Sequence, residues 1–294
     1  MTSEGPALKW GVERRLEFIE FRLFWEGGVN RSDIIEMFDV SVPQASKDLT
    51  LYQERAPHNA LYDKSARRYV ASPDFVPIFL KPDPYCYLSR LRSVAEGLTE
   101  LGESWITQVP DTDIALTPRR DIGANVLRTI LSAVRDVRSV NVLYQSMSKD
   151  RPDPMWRRIT PHAFGYDGFR WHVRSYCHLT NKFKDFLLPR ILDVGNIGEA
   201  GASADQDTLW QERFAVKIGP HPDLTESQKA VVAKDYGMVD GSAILTVRYA
   251  MLFYVLKRLG LLGDAALLPA HSQHIVVINR KDTLAALKKA EFVL

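Results

Sequence analysis

Seven side chains between residues 146 and 190 are of types that could act together: Ser146, Arg158, His162, His172, Arg174, Tyr176 and Arg190. Guanidinium groups suit phosphate or carboxylate. Imidazole and phenol can stack on a base or hydrogen-bond to it. The seven fall on successive extended stretches, so one small sheet would gather them. A sheet face with that many donors is costly to bury unless something accepts the bonds. The pattern predicts an anion pocket, against the plainer reading of a solvent-facing polar side of a hairpin. Arg157 precedes Arg158 directly, and on a strand only one of two neighbours can face inward. The sequence leaves open which.

A second set lies upstream. Ser41, Gln44, Ser46, Lys47 and Thr50 put small or hydrogen-bonding side chains on one short helix, with Arg31 and Ser32 opening the helix before it. Gln44 suits adenine, and Lys47 suits guanine or a phosphate. Lys64, Arg67 and Arg68 follow near the tip of a basic hairpin. These ten residues form the candidate DNA-contacting set.

Elements must hold both sets in place. Val12, Leu16, Ile19 and Leu23 recur at helical spacing, and Gly27-Gly28 stops that helix. Asn30 and Asp33 cap a second helix with Ile34 and Phe38 inside. After a turn at Asp39-Val40, Ser41-x-x-Gln44 caps a third, where Pro43 is tolerated because first-turn amides have no partner in the helix. Val42, Ala45, Leu49 and Tyr52 form its expected inner face. Residues 61–70 read as two short strands around a polar turn. This order is that of a winged helix-turn-helix over residues 1–75. The plainer alternative is a three-helix bundle with no nucleic acid partner.

Charge supports the division. Residues 1–40 hold 5 basic and 8 acidic side chains, whereas residues 41–72 hold 5 and 3, so the excess is positive where DNA would sit. A connector, 76–118, carries Pro77, Pro82 and Pro84, then a helix marked by Leu88, Leu91, Ala95, Leu98 and Leu101, then an aperiodic linker from Gly102. The 3 basic and 7 acidic side chains of residues 73–118 argue against DNA contact. Residues 119–192 hold 14 basic and 6 acidic side chains, a surplus larger than the +2 of the whole chain. Such a segment usually meets an anion.

The segment 119–200 reads as a lead-in helix at 126–134 and then several short antiparallel strands, a small barrel. Val140, Val142, Tyr144 and Ser146 share one side of the first strand. Asp167-Gly168 predicts a two-residue type I′ hairpin turn. Beyond it, Trp171, Val173 and Ser175 share one face, and Arg170, His172, Arg174 and Tyr176 the other. Residues 183–192, with Arg190, read as a further strand. The last unit, 205–294, alternates a capped helix after Thr225, a strand at 243–247, an apolar helix at 249–259 closed by Gly260, a strand at 275–278 and a helix at 283–289. This is a small α+β unit. On its apolar helix, Met251, Phe253, Tyr254 and Leu256 are either plain core or a dimer interface.

The segment Arg170-Trp171-His172-Val173-Arg174 resembles the name-giving motif of WYL domains, with His for Tyr and Val for Leu. Ser41-Val42-Pro43-Gln44-Ala45-Ser46, Thr160-Pro161-His162 and Asp235-Tyr236-Gly237-Met238 extend the resemblance across the chain. Together they are similar to the BrxR/CapW-type repressors of phage-defence operons. The resemblance implies an α+β multidomain chain: a winged helix-turn-helix, an Sm-like or SH3-like WYL barrel that senses a ligand, and a C-terminal WCX domain. It implies a repressor and favours a homodimer; paired helix-turn-helix units would read an inverted-repeat operator in double-stranded DNA, and the basic barrel would take an anionic ligand, a nucleotide or nucleic acid fragment, that loosens DNA binding. It also implies that Ser146, Arg158, His162, His172, Arg174, Tyr176 and Arg190 line the ligand pocket.

Rival classes draw less support. No G-x-S-x-G or G-x-x-x-x-G-K-[ST] occurs. Gly195, Gly198 and Gly201 have the wrong spacing for a dinucleotide loop. His172, Cys177 and His178 lack a recurrent metal-ligand spacing. Two cysteines, Cys86 and Cys177, make no disulfide framework. With no membrane-length apolar run and no signal-peptide pattern at the N-terminus, a cytoplasmic, nucleoid-associated non-enzyme without cofactor is expected. An RNA or single-strand binder using the barrel is the alternative.

Overall fold

A computed structural model describes residues 8–115 and 117–291, and the start of the chain, where the missing signal-peptide pattern is read, lies outside them. The chain divides into two compact units, residues 1–117 and 118–294.

In the first unit α1 (Trp10–Trp25) packs against α2 (Arg31–Phe38) and α3 (Val42–Arg55), and β1 (Ala60–Asp63) pairs antiparallel with β2 (Arg68–Ala71) as the wing. Asn30 and Asp33 close a reciprocal capping box on α2, and the Ser41 hydroxyl accepts from the Gln44 amide to start α3. The apolar faces converge on Leu16, Ile19, Ile34, Ala45, Leu49 and Tyr52. A bridge between Val29 and Tyr69 adds a third short edge to the wing. Gly28 makes this possible: its φ is +157°, and a Cβ there would lie 2.6 Å from the Tyr69 carbonyl oxygen.

The connector is not a free linker. Its helix, α4 (Pro84–Ala95), ends before Gly97, so Leu98 and Leu101 fall outside it and are exposed. A 3₁₀ turn (Leu101–Glu103) then leads into Trp105 and Ile106, which are buried in the same core as α1. Two buried carboxylates, Glu20 on α1 and Glu26 at its C-cap, secure this segment. Glu20 accepts from the amides of Ile78, Phe79 and Leu80 at 2.7–3.0 Å, and Glu26 from those of Thr107 and Gln108 at 3.0 and 3.1 Å. Buried backbone donors need acceptors, and a chain without regular structure here has to borrow them. Arg14 and Arg90 lie against the Trp105 ring, 4.2 and 4.5 Å from its centroid.

In the second unit α5 (Ala124–Arg135) precedes a five-stranded antiparallel sheet of order β6-β5-β4-β3-β7: β3 (Ser139–Tyr144), β4 (Met155–Tyr166), β5 (Trp171–Cys177), β6 (Lys182–Leu187) and β7 (Ile191–Gly198). Bulges in β7 and β4 bend it around Val140, Val142, Ile159, Val173, Cys177 and Ile130 of α5. Two sequence expectations give way. The β4–β5 connection is a four-residue loop, with Tyr166 paired to Trp171, because the Asp167 carboxylate caps the amides of Phe169 and Arg170 and only Gly168 takes positive φ. Residues 183–192 are not one strand: Pro189 lacks an amide donor, and a 3₁₀ turn (Leu188–Arg190) separates β6 from β7.

A short helix, α6 (Thr208–Gln211), leads to β8 (Arg213–Pro220), which the sequence pattern did not reveal. There follow α7 (Glu226–Asp235), β9 (Ala243–Arg248), α8 (Tyr249–Arg258), β10 (Ile275–Val277) and α9 (Arg280–Lys289). The sheet order is β10-β8-β9, around Val216, Ile218, Leu252 and Leu256. On α8, Leu256 is core, Met251 lies against Gly165 of β4, and Tyr254 lies against His172 of β5.

Candidate DNA-contact and anion-binding sites

In the first unit, α2, α3 and the wing enclose a groove of about 690 Å³, lined among others by Arg31, Ser32, Ser46, Thr50, Tyr62 and Arg67. Lys47 and Thr50 are exposed on α3, as are Ser41 at its cap and Lys64 and Arg67 on the wing. Gln44 is half-buried, and its Nε2 donates to Asp48 at 3.0 Å. Asp48 is itself buried and paired with Arg15 at 2.6 Å, which fixes the roll of α3 on α1. Val42 is 52% exposed rather than on the inner face. At the first turn of α3 that side chain points into the wing groove, where it helps to line the space. Arg68 turns away from the wing tip and packs on Gly28. Seven of the ten residues, Arg31, Ser32, Ser41, Lys47, Thr50, Lys64 and Arg67, are thus exposed, while Gln44 has to exchange its bond to Asp48 to reach a partner.

In the second unit the seven pocket residues separate. Arg174 donates to Asp207 at 2.7 Å from Nε and at 3.0 Å from Nη2, and to Asp185 at 3.2 Å from Nη1. The same Asp207 accepts from His162 at 3.0 Å, and Asp167 accepts from His172 at 3.0 Å. Burial alone would raise the Asp207 carboxyl; hydrogen bonds from His162 and Arg174 outweigh it and hold the group at about 2. Burial would likewise raise Asp167, but bonds from His172 and Arg170 bring it to about 2. His162, His172 and Arg174 are therefore already answered by carboxylates of this chain. Tyr176 donates to Asn181 at 3.1 Å, and Arg190 sits half-buried in the 3₁₀ turn.

The open question of Arg157 and Arg158 is resolved by the pleat. Arg158 points to the face of Ser139 and Asn196 and donates to both at 3.0 Å. Arg157 points the other way, is 7% exposed, and lies with its guanidinium 5.5 Å from the Tyr144 ring centroid. Its Nε and Nη2 are buried without a hydrogen-bond partner. A buried guanidinium with two unanswered donors is costly unless an acceptor arrives. It opens on a basin of about 380 Å³ that also includes Ser146, Arg151, Lys184 and Asp185. Of the seven expected residues, Ser146 alone lies in that basin. Asp185 and Asp207 are not among the candidates the sequence marks, and Arg157 stands there only as the alternative to Arg158. For Asp207 a signal existed, since an Asp three residues before Trp210 fits the helix cap it forms. No group of three or more His, Cys, Asp or Glu side chains among the described residues is placed to hold a metal ion.

Three family models match the chain in order. They are the BrxR transcriptional regulator winged helix-turn-helix domain at residues 11–93, the WYL domain at 125–195, and the BrxR transcriptional regulator C-terminal dimerization domain at 213–283. A DNA-binding transcriptional repressor CapW of Stenotrophomonas maltophilia is 43% identical over 96% of this chain and 94% of its own. The chain belongs to the CapW family. A CapW of Escherichia coli strain KTE188 is 37% identical over 96% of this chain and 93% of its own. Among solved structures, the proteasome accessory factor B/C of Arthrobacter aurescens covers 98% of this chain and 50% of its own at 14% identity, with a TM-score of 0.26 too low to bear on the fold. The CapW relatives are thus aligned along almost the whole chain, winged helix and basin included. No helix among the described residues is long and apolar enough to cross a membrane.

Proposed function

We propose that the chain is a homodimeric, sequence-specific DNA-binding transcriptional repressor of a phage-defence operon, relieved by an anionic ligand bound in its WYL sheet. The observation that carries the DNA-binding part is the groove shared by α2, α3 and the wing. It gathers Arg31, Ser32, Thr50 and Arg67 on a unit matched by a winged helix model, with Lys47 exposed on the same α3. Relatives of near full-length coverage carry the repressor name. In this reading α3 enters the major groove and the wing grips phosphates. The C-terminal match to a dimerization domain supports a two-fold pair on an inverted repeat. The operon assignment rests on the resemblance to BrxR/CapW-type regulators.

In this reading residues 1–75 contact DNA, 119–200 sense the ligand and 205–294 dimerise, while the connector 76–118 is folded onto the first of these. The ligand is an anion because the basin presents a buried, unanswered Arg157 with Arg151 and Lys184 beside it. A nucleotide or a short nucleic acid fragment fits that chemistry. Reciprocal linkage then requires operator DNA to weaken ligand binding by the factor by which ligand weakens DNA binding. Anisotropy of a labelled inverted-repeat duplex, titrated with the protein and then with a short phosphorylated oligonucleotide, tests both. Release of the duplex is expected, and a duplex that never binds contradicts the reading.

A further inference from the structure

We infer that Asp185 is a gate on the Arg157 basin, and that it couples an anion bound there to helix α8 of the C-terminal region. This rests on the reading of the basin as an anion site. The walls hold Arg157, Arg151 and Lys184, yet also two carboxylates, Asp150 and Asp185. Asp150 is exposed on a turn. Asp185 is fixed, with a side chain only 11% exposed. Its Oδ1 accepts from Arg174 at 3.2 Å, and its Oδ2 accepts from the Tyr254 hydroxyl at 3.1 Å.

An anion moving in to meet Arg157 therefore meets a pinned negative charge. Like charges in a buried site repel strongly, so the anion favours states in which Asp185 has left the wall. Arg174 can release it, because two bonds to Asp207 remain. Tyr254 is the hold that ties the carboxylate to α8: its ring lies 4.6 Å from that of His172, and its hydroxyl loses its Asp185 acceptor when the carboxylate moves. Anion in the basin and the Tyr254–Asp185 bond thus oppose each other. Tyr254 stands on α8, inside the stretch matched by the dimerization model, so the consequence of binding emerges in that region.

The test is calorimetric titration of the full chain with inorganic pyrophosphate, in the wild type, Tyr254→Phe, Asp185→Asn and the double variant. Tyr254→Phe keeps the ring and loses only the hydroxyl, and is expected to bind about tenfold more tightly, the scale of one hydrogen bond to a charged group. Asp185→Asn is expected to tighten binding by at least as much. In its background Tyr254→Phe adds nothing, because the carboxylate it restrains is gone. A gain from Tyr254→Phe that persists beside Asp185→Asn, or no gain at all while Asp185→Asn still tightens, overturns the coupling and leaves the anion site standing. Absence of Arg157-dependent binding even in Asp185→Asn removes the anion site, and the coupling with it. Should Tyr254→Phe not fold, hydrogen exchange of α8 in the wild type decides: faster exchange with pyrophosphate is expected, and unchanged exchange overturns the inference.

Discussion

Arg174 and Asp207 meet through two hydrogen bonds of 2.7 and 3.0 Å, with side chains 6% and 1% exposed. They join β5 of the WYL sheet to the N-cap of α6. Arg174→Ala would leave Asp207 and Asp185 buried without their guanidinium. We expect a loss of about 3–5 kcal/mol of stability in urea unfolding, with the first unit unaffected.

Asp207 also sets a pH dependence. Its folded value of about 2 lies below its ordinary 3.8, so the group contributes stability that is present above about pH 4 and is lost as pH falls through about 2. The contribution is about 2 kcal/mol. Urea unfolding at pH 5, 3 and 2 is expected to show that decline for the second unit. Asp207→Asn should remove its share of the slope, and an unchanged slope would contradict the account.

Trp105→Ala tests whether the connector belongs to the winged helix core. The ring is buried between Arg14 and Arg90 and packs edge-on to Phe18 and Phe21. A loss of about 3–5 kcal/mol is expected in thermal unfolding of the first unit. A free linker would show almost none.

Gly28→Ala should strain the wing root, because φ there is +157° and the added carbon meets the Tyr69 carbonyl at 2.6 Å. We expect a loss of about 1–3 kcal/mol and weaker DNA binding, as the wing loses its edge at Val29. A duplex-binding curve that matches the wild type would argue that the wing does not grip DNA.

Much of the fold was legible in the sequence, since caps and periodicity are local. Asn30-Asp33, Ser41-Gln44 and Thr225-Gln228 all start the helices that their spacing implies. The site was less legible because its decisive partners are distant in sequence. Alternation put His172 and Arg174 on one polar face, but nothing local said that Asp167, Asp185 and Asp207 would cover it. Charge counting found the basic surplus without finding which guanidinium lacks a partner. The Arg157/Arg158 choice depended on strand phase, which follows from Arg157 pairing with Val142 and Arg158 with Asn141.

That phase yields a prediction. Arg157→Ala is expected to abolish pyrophosphate binding, while Arg158→Ala, on the opposite face, changes it less than twofold, about 0.4 kcal/mol. Equal losses would place the anion elsewhere.

The most direct test of the repressor reading is the affinity of the full chain for an inverted-repeat duplex from its own promoter region, measured by anisotropy across a salt series. Two protomers per duplex are expected, with Lys47→Ala weakening binding by about 1–3 kcal/mol and lowering the log–log salt slope by about 1. A folded Lys47→Ala protein with unchanged affinity and slope, or a monomer indifferent to the duplex at low salt, would contradict it.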